Sequence, residues 1–202
     1  MDEIVLRALS KWPNVPAVYG WLSLDRRGNW LIKGEKISNP TVNAFIGRNY
    51  ERDGEGRWFF QNGPQRVYVS LEYTPFVYRA MNGDDAPLGL ECQTGARVTA
   101  VSGAWIDETG ALLLQTEHGL GLVHDRDLNR VVYAFVDQSG KPVSEDVLGE
   151  LMQALQDGHA AALWLKHGVA NIKVEPLRSE EVCGRFGFQS RPGAAENQTQ
   201  CT

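Results

Sequence analysis

The sequence is short of everything that would assign it a function at sight. Met1-Asp2-Glu3 puts acids where a secretory leader carries basic residues, and no apolar leader core follows. The longest clearly apolar run is residues 160–165, far below the roughly 20 residues of a membrane-spanning helix. Three cysteines, Cys92, Cys183 and Cys201, are too scattered for a C-x-x-C pair or a zinc cage, and such an odd set is expected to be reduced thiols. The expected protein is therefore soluble and cytoplasmic, with no membrane partner, no metal and no cofactor.

Catalytic signatures are missing as well. There is no G-x-S-x-G elbow, and no cysteine adjoins a histidine in sequence. Gly119-Leu120-Gly121 lacks the third glycine and the strand-to-helix setting of a dinucleotide loop. These absences lean away from an enzyme without excluding one, because convergent active sites need no motif.

What is present is a globular composition, 43% hydrophobic and 22% charged over 202 residues, enough to bury a core unaided. The net charge of −5 conceals an asymmetry. Residues 1–80 carry eleven Lys/Arg against eight Asp/Glu and thirteen of the nineteen aromatics; residues 81–202 have a balance of −8. A basic, aromatic-rich half is joined to an acidic one.

Residues 2–12 predict an amphipathic helix that Pro13 stops. Residues 18–24 and 30–33 predict a hairpin, and Asn39 with Pro40 predicts the cap and first turn of a second helix, burying Val42, Phe45 and Ile46. A further hairpin is expected over 58–61 and 66–72. Beyond the boundary 82–87, strands are expected near 97–107, 111–117, 120–124 and 131–137, then a helix capped by Ser144 and two late strands at 161–166 and 171–175. The fold class is α+β: mainly antiparallel β-sheet built from hairpins, with about three covering helices. One compact unit is expected over 1–188, with any internal split at 82–87 and a flexible tail over 189–202.

Asp-x-x-Gly recurs between expected strands at Asp25/Gly28, Asp53/Gly56, Asp107/Gly110 and Asp137/Gly140. An aspartate that accepts backbone N–H groups, followed by a glycine able to take positive φ, is turn chemistry. The acids are too sparse for a calcium cage. The similarity of residues 20–31 to 103–113 fits either a duplication or a shared turn type.

The stretch from Trp12-Pro13-Asn14-Val15-Pro16 to Trp21, with Trp58-Phe59-Phe60-Gln61-Asn62-Gly63-Pro64-Gln65-Arg66-Val67, resembles a family of small proteobacterial proteins of unknown function. The resemblance implies a bacterial cytoplasmic protein and brings no catalytic residues with it.

Three constellations are candidate sites. His118, His124, Asp125 and Asp127 combine imidazole and carboxylate, the residue types of metal and acid–base sites, although strand alternation would split them between faces. His159 and His167 flank an apolar strand that Cys92 or Cys183 could approach. Arg26, Arg27, Trp30 and Lys33 put cations and an aromatic on one hairpin, the makings of a partner surface or, less favoured, a nucleic-acid surface. The favoured function is a non-enzymatic binding or interaction module for a protein or small molecule, with a small hydrolase-like enzyme as the alternative.

Overall fold

A computed structural model describes residues 1–81 and 88–193. The boundary expected at 82–87, Cys201 and most of the expected tail lie outside the described residues. Contacts divide the chain into two units. Unit 1 holds Met1–Pro75, Gln93–Gly95 and the chain from Cys183 onward; unit 2 holds Phe76–Cys92 and Ala96–Val182. The charge asymmetry follows the units, with twelve Lys/Arg against nine Asp/Glu in unit 1 and eight against sixteen in unit 2.

Unit 1 opens with α1 (Glu3–Lys11), then β1 (Val18–Leu24), β2 (Trp30–Ile32) and β3 (Glu35–Lys36). Helix α2 (Pro40–Arg48) follows, and β4 (Tyr50–Arg52), β5 (Trp58–Asn62) and β6 (Gln65–Leu71) complete a six-stranded sheet of order β3-β2-β1-β6-β5-β4. The Asn39 side chain caps α2, its oxygen accepting from the backbone N–H groups of Thr41 and Val42 at 2.9 and 3.3 Å. Two antiparallel meanders meet at the centre, where β1 and β6 run parallel. The core is aromatic: Trp30 meets Tyr50 edge-on and Tyr50 stacks on Trp58.

Unit 2 contains β7 (Phe76–Ala80), β8 (Leu90–Cys92), β9 (Arg97–Val98), β10 (Val101–Ile106), β11 (Leu112–Thr116) and β12 (Leu120–Val123). After them come α3 (Leu128–Val131), β13 (Phe135–Val136), α4 (Glu145–Gln156), β14 (Trp164–His167) and β15 (Ala170–Pro176); α5 (Val182–Phe186) has only its first residue in unit 2 and the rest in unit 1. The sheet order is β13-β14-β15-β10-β11-β12-β7-β8-β9. Read from β12, its first six strands repeat the strand plan of unit 1: three antiparallel strands, a helix, three more antiparallel strands, and a parallel seam between the first and last. Helix α4 is extra, lying between the fourth and fifth strands of that plan. The registers agree as well. Leu24 faces Leu71 and Ile106 faces Pro176 across the two seams, and the next residue of each last strand, Glu72 or Leu177, donates its N–H to the carbonyl of Leu24 or Ile106.

All four Asp-x-x-Gly turns are the same object. Gly28, Gly56, Gly110 and Gly140 have φ of 76, 80, 80 and 85°. In every case one aspartate oxygen accepts from the backbone N–H two and four residues on, at 2.8–3.0 Å. The turns sit after the first and fourth strands of each six-strand plan, so they repeat with the topology.

Three expectations need correction. The sheets are mixed, with parallel pairs β1/β6, β10/β15 and β7/β12 among mainly antiparallel ones, and the described residues hold five helices rather than three. The strand expected at 131–137 starts only at Phe135: His124 caps a helical run that places Val131 and Ala134 on one buried face. The segment from 189 is tied at its start, Gln189 donating to the Gly56 carbonyl and Ser190 accepting from the N–H of Leu71. Among the described residues Cys92 is a free buried thiol.

Candidate functional site

In unit 1 the sheet and α2 do not close on one another. Between them lies a groove of about 570 Å³. Its helical wall is Val42, Phe45 and Ile46, the i, i+3, i+4 stripe of α2. Ile46 is buried, but Val42 remains 39% exposed, because the stripe looks into open space instead of a filled core. The floor comes from the cross-strand pair Phe60–Val67, with Phe45 edge-on to Phe60 at 5.5 Å. Asn62 and Gln65, the pair nearest the β5–β6 turn, supply the polar part of the lining.

The third wall depends on a break in β1. Val18 faces Val67, yet Leu22 faces Val69, so β1 carries two extra residues within the seam, and Gly20 takes φ of 70° there. The bulge brings Trp21 and Leu22 both into the groove lining, and leaves Trp21 50% exposed. Opposite, Ile32 is 46% exposed. The turn after it uses Lys33 at φ 49° and Gly34 at φ 85°, the positive angles of a two-residue hairpin turn. Lys33 donates its N–H to the Trp21 carbonyl at 2.8 Å and sets its ammonium 3.9 Å from the centre of the Trp21 ring.

The sequence-derived partner surface does not survive as one patch. Trp30 is 2% exposed within the aromatic core. Arg26, half-buried over the Tyr73 ring, and exposed Arg27 sit in the turn before β2; Lys33 sits in the turn after it. Trp58, Phe59 and Phe60 are buried too, so these rings face the core and are not free to stack on a nucleic-acid base.

The His/Asp cluster in unit 2 also resolves into structural parts. His124 is buried as a helix cap, its Nδ1 accepting from the Arg126 N–H at 3.1 Å and lying 2.9 Å from Asp125. Burial, helped by the Arg79 charge, holds its pKa below the usual imidazole value. Asp127 is buried and accepts from the Arg79 guanidinium and the Ala80 N–H. Burial works against its charge, but those bonds prevail and lower its pKa. His118 stands apart in the β11–β12 turn, donating to the Arg97 carbonyl at 2.8 Å. Among the described residues no three His, Cys, Asp or Glu side chains are grouped to hold a metal ion. His167 is half-buried, with its pKa lowered by desolvation.

The groove was missed because an amphipathic stripe reads alike whether its partner layer is complete or gapped. The available signal was Gly20 followed by Trp21, a bulge glycine beside a large apolar side chain inside a strand pattern.

Comparison with known proteins places the chain. Residues 1–193 match the family described as "Protein of unknown function (DUF2946)". The chain belongs to that family. No curated protein matches it. Its fold resembles that of a DUF1285 family protein from Silicibacter pomeroyi DSS-3, at 15% identity and a TM-score of 0.53, over 88% of this chain and 97% of that one. A DUF1285 family protein from Shewanella baltica OS155 aligns at 15% identity and a TM-score of 0.39, over 55% of this chain and 91% of that one. The matched family indicates no specific function. No helix among the described residues is long and apolar enough to cross a membrane.

Proposed function

We propose that this protein is a non-enzymatic binding module whose site is the groove of unit 1, and that its ligand is a small, largely apolar molecule. The observation that carries the reading is a cavity of about 570 Å³ walled by Trp21, Ile32 and Val42, side chains left 39–50% exposed. Ligand sites are typically concave and apolar, with a few polar groups to orient what enters, and Asn62 and Gln65 fill that part. The lining contains no histidine, cysteine or carboxylate, so it offers no acid, base or nucleophile. That separates it from the hydrolase-like alternative.

A neutral apolar probe, decan-1-ol, titrated against the intact protein by tryptophan fluorescence tests the reading. Saturable one-to-one binding is expected, and Val42→Asp with Ile32→Asp should weaken it more than tenfold while the circular dichroism spectrum stays unchanged. Binding that ignores both substitutions, or no binding at all, overturns it. The compartment we propose is the cytoplasm, as the family resemblance implies, and cell fractionation tests it.

A further inference from the structure

We infer that the groove takes an amphiphile with an anionic head, in the simplest case a medium-chain aliphatic carboxylate whose head group meets Lys33 while its chain lies between α2 and the sheet. The inference rests on the groove being a ligand site and adds which end of the ligand goes where. Three observations carry it.

Lys33 is the one non-glycine residue at positive φ among the described residues. Asparagine or glycine is the usual occupant of that turn position, and lysine there holds a backbone conformation it does not favour. The turn geometry needs no lysine; what a lysine adds is a charge. That charge is also held in place, since the Lys33 N–H bonds to the Trp21 carbonyl and the ammonium rests on the Trp21 ring, itself a wall of the groove.

The groove lining contains no charged side chain, and no described carboxylate lies within ion-pairing distance of Lys33. An ammonium beside an apolar trough is complementary to a molecule with one negative end and an apolar body. Glu35 is the neighbouring acid, facing Ile32 across the β2–β3 pair. A cationic head would have to use Glu35 and the Trp21 face, but that face is already taken by Lys33 at 3.9 Å. An anion is therefore the occupant that fits.

The test compares decanoate, decan-1-ol and decyltrimethylammonium, below their micelle concentrations, on the intact protein and on Lys33→Asn and Glu35→Gln. Asparagine tolerates the left-handed turn, so Lys33→Asn should fold with an unchanged or raised Tm. Decanoate is expected to bind about fivefold tighter than decanol, the scale of a partly exposed ion pair, and decyltrimethylammonium weaker than decanol. Lys33→Asn should bring decanoate down to the decanol level and leave decanol unchanged; Glu35→Gln should tighten decanoate about twofold. If decanol binds and decanoate gains nothing over it, or Lys33→Asn leaves the gain intact, the inference is wrong while the groove reading stands. Tighter binding of the cation overturns it in favour of a Glu35-centred site. If no probe enters, or a concentration-dependent dimer keeps them out, the groove reading falls and this inference falls with it.

Discussion

Unit 1 and the first six strands of the unit 2 sheet share one plan and differ in how well they are filled. Trp21 and Ile32 lie four residues before and seven after Asp25; Gly103 and Leu114 hold the same places around Asp107. The first pair is half exposed and lines the groove, whereas Gly103 is buried and Leu114 is fully inside. The sheet edges differ in the same sense. In unit 2 the third strand, β12, continues into β7, β8 and β9, but in unit 1 the third strand, β3, is two residues long and ends the sheet. One arrangement of strands thus gives a closed core where the sheet is extended and an open groove where it stops. A site of this kind needs no new fold, only the omission of neighbours.

The largest effect should come from substituting the two matched positions. Leu114→Ala should cost about 3 kcal/mol in denaturant unfolding, because it empties a filled core, while Ile32→Ala should cost less than about 1 kcal/mol. Equal costs would show that the groove side of unit 1 is packed after all.

Next come the matched turn glycines. Gly140→Ala should cost about 1 kcal/mol, the charge for an alanine at positive φ, since the nearest atom to the new methyl group is the end of the Asn171 side chain. At Gly56 the methyl group would sit 2.3 Å from the Gly187 carbonyl, so Gly56→Ala should cost about 2 kcal/mol or more. Finding the two equal would mean that the Gly187 segment yields freely.

The smallest effect is a local pH dependence at Glu117 in unit 2. Glu117 accepts from the backbone N–H and hydroxyl of Thr99 and from the Ala100 N–H. Burial pushes its pKa up, but these bonds outweigh it and bring it down to about 2. A depressed acid contributes stability that is complete above its unfolded value of roughly 4.3 and is lost as pH falls toward 2. The protection of the Thr99 and Ala100 N–H groups against hydrogen exchange, taken relative to the intrinsic rate at each pH, should fall over that window in the native protein, and Glu117→Gln should flatten the response.

The sequence showed local chemistry well and long-range pairing poorly. Asn39 with Pro40 and the four Asp-x-x-Gly turns were legible because each is a bond between residues a few positions apart. The parallel seams were not, since β1 meets β6 and β10 meets β15 across long stretches of chain with no periodicity to announce it. His124 misled because a ring nitrogen that caps a helix and one that binds a metal are the same residue in sequence. Trp30 and Lys33 misled in the opposite way: three residues apart, one is core and the other is exposed at the groove wall.

The return of the C-terminal segment to unit 1 bears on the order in which the molecule is made. Unit 2 has all its residues once Val182 has been synthesised, but unit 1 still lacks the carbonyl of Ser190 for Leu71 and the N–H of Gln189 for Gly56. A ribosome delivers the chain from its N-terminus, so the half synthesised first is the half completed last. Until those final contacts form, the strands of unit 1 wait with part of their bonding unmet.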